Sequence, residues 1–168
     1  ILENFSHFKI NLFFLTDTKY CKIGGKYFCQ PTENILKKVF YGTNIKVIIK
    51  QWNNQNFSKY ASYCDLALIP IPNDPIMELK PENKLILLWS IGIPTITSDL
   101  LSYKRVMDEI KQDYYCSSIE DWHNKLKKLL YSQKTRLDYI NAATKYIKKN
   151  SSKEVIFKQW DKIFFNKK

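Results

Sequence analysis

A chain of 168 residues with 45% hydrophobic and 26% charged side chains is long enough for one well-cored domain, short for two, and unlike a disordered segment. Its longest apolar runs, such as residues 85–89, fall far short of the ~18 residues a membrane-spanning helix needs. The net charge of +11 would attract phosphate-bearing ligands, anionic lipid or nucleic acid, but only Arg105 and Arg136 are arginines, and lysines seldom read bases, so nucleic acid is not the expected partner.

The opening ILENFSH begins on Ile rather than Met, which reads as a processed or partial chain. It lacks a basic stretch ahead of an apolar one, so no signal peptide is expected there. FKINLFFLTD (8–17) reads as a buried strand ending at polar Thr16 and Asp17. The next stretch, KYCKIGGKYFCQPT, reads as a loop turning at Gly24-Gly25; it lacks the G-x-G-x-x-G spacing of a phosphate cradle. Thr32 is placed to cap a helix over ENILKKVFYG, stopped by Gly42. IKVIIKQW (45–52) is a second strand, and NFSKYASYC (56–64) a short helix with Phe57, Tyr60, Ala61 and Cys64 on one face.

DLALIPIP (65–72) is continuously apolar, as in a central parallel strand covered on both faces, and ends at Pro70 and Pro72, which cannot donate to a ladder. A helix is expected from about Pro81 to Ile91 with Gly92 as its C-terminal stop, followed by a strand over PTITS (94–98). SYKRVMDEI (102–110) reads as a helix and DYYCS (113–117) as a short strand. Helical apolar spacing recurs at Trp122, Leu126, Leu129 and Leu130, then at Leu137, Ile140, Ala143 and Ile147. Residues 151–168 close the chain as an amphipathic helix with Val155, Ile156, Gln159, Trp160, Ile163 and Phe164 on one side.

Strands alternating with helices at short spacing predict an α/β fold: a single Rossmann-like domain over 1–150, a parallel sheet with helices on both faces, and a C-terminal helical extension. Cys21, Cys29, Cys64 and Cys116 include no C-x-x-C pair and only His7 and His123 could assist them, so free thiols in a reducing compartment are expected rather than zinc. That usage reads as a cytoplasmic chain, with peripheral contact at the inner face of a membrane the further option. Charge is uneven: residues 1–103 hold 11 basic and 8 acidic groups, residues 104–168 hold 16 and 8. The plain reading of that excess is a solvated lysine-rich surface.

In open parallel sheets ligands gather beyond the carboxyl ends of the strands. Here those ends carry Thr16 and Asp17, Trp52 and Asn53, the loop from Pro72 to Lys84, and Ser98 to Tyr103. Lys80, Asn83 and Lys84 fall at a helix start, where unpaired N–H groups and the positive dipole end favour an anion; a solvent-facing cap is the alternative. Asp74, Glu78 and Glu82 read as a solvated acidic loop rather than paired catalytic carboxylates. There is no G-x-S-x-G, H-E-x-x-H or P-loop.

Across roughly residues 45–165 the series YCDLALIPIP, Asn83-Lys84, SIGIP (90–94), Ser98-Asp99 with Tyr103, EDWHNKLKKLL and a late QW resembles the C-terminal, donor-binding half of GT-B glycosyltransferases. The resemblance implies a hexosyltransferase-like enzyme acting on a glycan or cell-surface polysaccharide, with a nucleotide-sugar as substrate and neither cofactor nor metal. It implies donor phosphate binding by Lys80, Asn83 and Lys84, and base or sugar contacts by Trp52, Glu82, Ser98 and Tyr103; from the sequence alone Trp52 reads more readily as a core or interface residue. Two departures stand out. Leu87 occupies the place where many retaining members carry a ribose-binding Glu, and catalysis in that family needs a second, acceptor-binding Rossmann domain, here a missing N-terminal half or a partner subunit. The alternative function is a non-catalytic basic module binding nucleic acid or a partner protein. For the last helix, the resemblance favours crossing to the other half, packing of Trp160 on its own domain is the alternative, and membrane contact comes third.

Overall fold

The computed structural model describes residues 1–22, 28–72 and 74–165; the expected Gly24-Gly25 turn lies outside them. The chain is mixed α/β and falls into two compact units, Ile1–Tyr63 and Cys64–Lys168.

In the first unit a 3₁₀ turn, Leu2–Phe5, buries Phe5. It precedes β1 (Asn11–Thr16), which pairs in parallel with β4 (Lys46–Gln51) from Asn11↔Lys46 to Thr16↔Gln51. Phe13 meets the Tyr60 ring at 6.1 Å, and Phe14 meets Phe40 at 6.0 Å. Successive strand residues point to opposite faces, so α2 (Asn54–Ala61) covers one side and the end of α1 (Thr32–Val39) the other. The stretch expected as a loop instead contains an antiparallel pair, β2 (Lys19–Lys22) and β3 (Phe28–Pro31).

Thr32 does not cap α1. Pro31 holds the N-cap position, and the Thr32 hydroxyl donates to the carbonyl of Asp17 at 2.6 Å, tying the helix start to the β1 exit. The second helix begins two residues earlier than the apolar spacing suggests, because the Asn53 side chain accepts the Asn56 N–H at 2.7 Å and so fixes the N-cap.

The second unit contains a three-stranded parallel sheet in the order β5 (Ala67–Ile69), β6 (Thr95–Ser98), β7 (Tyr115–Cys116). Residues 65–72 were expected to supply a central strand, but in this unit the middle position belongs to β6. Its Thr95, Ile96 and Thr97 are fully buried, while Ala67 and Leu68 of β5 are half-buried. Between β5 and β6 come α3 (Pro75–Glu78) and α4 (Asn83–Ser90), the latter burying Leu85 and Trp89.

Helix α4 ends in a Schellman motif. Gly92, at φ +82°, donates its N–H to Trp89 O, and Ile93 donates to Leu88 O, both at 3.0 Å. Helix α5 (Leu101–Glu109) leads to β7, and α6 (Ile119–Tyr131) starts from a capping box of Ser118 and Asp121. Helix α7 (Gln133–Asn150) sends Tyr139 into the core, where its hydroxyl accepts from Trp89 Nε1 at 3.1 Å and donates to Thr95 O at 2.8 Å. The Tyr114 ring stacks on Tyr139 at 4.8 Å, completing an aromatic core under β6.

Helix α8 (Lys153–Phe164) buries none of its residues. Trp160, expected on apolar protein of its own domain under one reading, is 51% exposed and stacks on Phe164 at 5.3 Å. A helix that sets its aromatic row outward leaves it only its own neighbours one turn away.

Candidate functional site at the start of helix α4

Three hydrogen-bonded ties draw the polar edge of the second unit together. The Ser98 hydroxyl, at the end of β6, accepts from Ile71 N–H at 2.7 Å and donates to Ile71 O at 2.8 Å, holding the β5 exit beside the β6 exit. Ser102, in the first turn of α5, donates to Lys80 O at 2.7 Å. Arg105, one turn further along α5, donates from Nη2 to Glu82 Oε1 at 2.6 Å. The loop preceding α4 is thereby fastened to the start of α5, as the ends of parallel strands require if loop residues are to form a site.

Glu82 holds the N-cap position of α4 but makes no side-chain cap. Its carboxylate turns to Arg105 instead, so no side chain takes the N–H groups of the first turn, which have no intrahelical acceptor. Asn83 and Lys84 occupy that turn, and both are exposed, as is Lys80. The cations of Lys80, Lys84 and Arg105, with the dipole end of an eight-residue helix, outweigh the single Glu82 carboxylate. Glu82 and Asn83 also line an open groove of about 410 Å³, together with Ile86, Leu87, Ser90, Ile147, Ser151 and Ile156.

The other expected contacts are placed differently. Tyr103 is packed in the core with 1% of its surface exposed; burial, with a smaller effect from the Glu82 charge, pushes its phenol pKa up. Ser98 is half-buried and its hydroxyl is engaged in both directions by Ile71. Neither presents a free polar group to the open edge. Leu87, which the resemblance would set at the place of a ribose-binding Glu, is exposed and lines the groove. Trp52 belongs to the first unit, where it follows β4 with 52% of its surface exposed and donates its N–H to Thr16 O at 3.1 Å.

Arg105 is the residue that sequence reasoning passed over. It is one of two arginines and lies three residues after Ser102 on a helix, a spacing that sets the two side chains on one face. Near Trp52 a second polar cluster forms: Gln51 donates to Asp17 Oδ1 at 3.0 Å and accepts from Thr18 N–H at 3.1 Å, closing the β1 and β4 exits.

Among the described residues no group of three or more His, Cys, Asp or Glu side chains gathers to hold a metal ion, and no helix is long and apolar enough to cross a membrane. No family model, curated protein or solved structure matches this chain.

Proposed function

We propose that the chain is the donor-binding half of a nucleotide-sugar-dependent glycosyltransferase of the GT-B type, working in glycan or cell-surface polysaccharide synthesis. The observation that carries the reading is the uncapped first turn of α4, with Asn83 and Lys84 exposed in it and Lys80 and Arg105 fastened beside it. A diphosphate needs this chemistry: fixed N–H donors, mobile cations and a positive dipole end. In the proposal β5, β6 and β7 with their helices are part of a Rossmann-like sheet. The α4 N–H groups and Asn83 take the phosphate oxygens, Lys80 and Lys84 balance their charge, and Glu82 accepts from ribose or sugar hydroxyls.

Glycosyl transfer leaves a nucleoside diphosphate, whose growing negative charge is what such a cradle stabilises most in the transition state. The acceptor hydroxyl and any catalytic base would come from an acceptor-binding domain or subunit, cytoplasmic with this one. Titration calorimetry with UDP, GDP and their sugars tests the proposal. Binding of at least one diphosphate is expected, and Lys84→Ala is expected to weaken it about fivefold to tenfold while leaving the parent nucleoside unchanged. Absence of binding by all of them at millimolar concentration would sink it. Salt-dependent capture of oligonucleotides without nucleotide-sugar binding would favour the basic-module reading instead.

A further inference from the structure

Apart from Ile156, which borders the groove at the candidate site, the outward face of α8 is unused by the donor reading. Ile156, Phe157, Trp160, Ile163 and Phe164 are all exposed. At 100° per residue they fall within an arc of about 120°. Val155, expected on the same side, lies beyond this arc and is half-buried, while Glu154, Lys158, Asp161 and Lys162 occupy the remaining circumference. Lys153 stands within the apolar arc at its first turn, where a long stem lets the ammonium reach past apolar neighbours. Phe165, directly after the helix, is exposed as well.

Charge identifies what such a face meets. Residues 133–168, the two last helices and the chain end, carry 10 basic and 3 acidic groups, net +7. Lys145, Lys148 and Lys149 near the end of α7 are exposed, as are Lys153, Lys158 and Lys162 of α8. Of these, Lys149 has Glu109 at 3.9 Å as an exposed, weak partner. A protein interface buries a centre depleted in lysine, whereas exposed Lys153 stands within this arc. Aromatic and aliphatic side chains on a segment of this net charge, with Lys153 among them, instead match the boundary between anionic headgroups and acyl chains, where rings sit at headgroup depth and ammonium groups meet phosphate.

We propose that α8 docks on an anionic membrane surface. Phe157, Trp160, Ile163 and Phe164 enter the headgroup–acyl boundary, and Lys153 with the lysines of α7 lies against the lipid charges. A helix of 12 residues gives modest, reversible attachment that needs both the apolar row and the basic patch.

Co-sedimentation of the whole chain with vesicles tests this. Vesicles of phosphatidylcholine with about a third phosphatidylglycerol should bind it, phosphatidylcholine alone should not, and binding should fall steeply with added salt. Trp160→Ser with Phe164→Ser should lower partitioning about tenfold or more. Lys145→Gln with Lys148→Gln should lower it by about fivefold per lysine. All four side chains are exposed, so circular dichroism should show unchanged helix for both variants. No binding to the anionic vesicles at low salt would overturn the proposal, as would binding indifferent to the Trp160 and Phe164 changes. So would a chain that self-associates, or binds an acidic protein, through this row while leaving the vesicles in the supernatant.

Discussion

Tyr139 concentrates more of the second unit's specificity than any other side chain of its core. Its hydroxyl accepts from the Trp89 indole and donates to the backbone of β6 at a fully buried point. Tyr139→Phe strands one indole N–H and one carbonyl, each costing roughly 1–3 kcal/mol when left unpaired in the interior. A urea titration should show the unfolding free energy falling by that amount, as a lower midpoint at unchanged slope. Cys116 makes the same core sensitive to alkali. Burial, partly offset by Lys125, pushes its thiol up to about 12. Because the folded value is raised, stability is fully present below the unfolded thiol's value near 8.5 and falls as pH rises from there toward 12. Cys116→Ala should shrink the first part of that decline and leave the share of Cys64, whose thiol burial and the Asp65 charge also raise. The phenols of Tyr103 and Tyr114, also raised by burial, continue the decline above about pH 10 in either protein.

At the scale of elements, two helix ends use one motif with different residues. Both α4 and α5 close with Schellman bonds: Gly92 at φ +82° after α4, Lys111 at φ +56° after α5, with Gln112 N–H reaching Met107 O at 2.9 Å. A Cβ at Gly92 would meet nothing within 4 Å, so only its left-handed backbone resists substitution. Gly92→Ala should cost about 1–2 kcal/mol and Lys111→Gly should gain about 1 kcal/mol, both read from thermal or urea unfolding. Helix α6 offers an acid-side counterpart. Backbone and side-chain hydrogen bonds from Ser117, with lesser ones from Ser118, hold the Asp121 carboxyl below the usual carboxylate range. A depressed folded value means that its contribution is present above the unfolded value and disappears as pH falls through the folded one. Asp121→Asn should therefore flatten the acid limb of the stability profile, and Ser118→Ala should cost about 1 kcal/mol at neutral pH.

These elements also mark what could be read in advance. The Gly92 stop, the β6 strand and the helical faces of α6 and α7 were legible because glycine chemistry and apolar period act locally. The β2–β3 pair was not, since strand propensity depends on context and two four-residue runs either side of Gly24-Gly25 read as plain loop. Nor was Thr32's choice of the Asp17 carbonyl over its own helix, because an N-cap signal describes only what lies downstream of it. At the site, Lys80, Asn83 and Lys84 were legible as a helix start, whereas the burial of Tyr103, the engagement of Ser98 by Ile71 and the arrival of Arg105 depend on how α5 seats against the preceding loop.

On the scale of the whole molecule, apolar burial is shared unevenly. Fifteen hydrophobic side chains are buried in Cys64–Lys168, against Phe5, Ile45 and Ala61 among the described side chains of Ile1–Tyr63. The strands of the first unit, with Leu12 to Leu15 and Val47 to Ile49 only half-buried, lack the covered faces from which cooperative stability comes. A segment of about 60 residues is already marginal on surface-to-volume grounds. Charge adds to the deficit: the first unit holds 9 basic and 3 acidic groups, the second 18 and 13, so self-repulsion is relatively greater in the smaller piece. Expressed alone, residues 64–168 should unfold in a single cooperative urea transition. Residues 1–63 alone should show no cooperative baseline, and hydrogen exchange in the whole chain should run faster at β1 and β4 than at β6 and α7. Equal protection of β1 and β6, or a cooperative transition in the 1–63 fragment, would show that the thin first unit draws stability from a source other than buried apolar area.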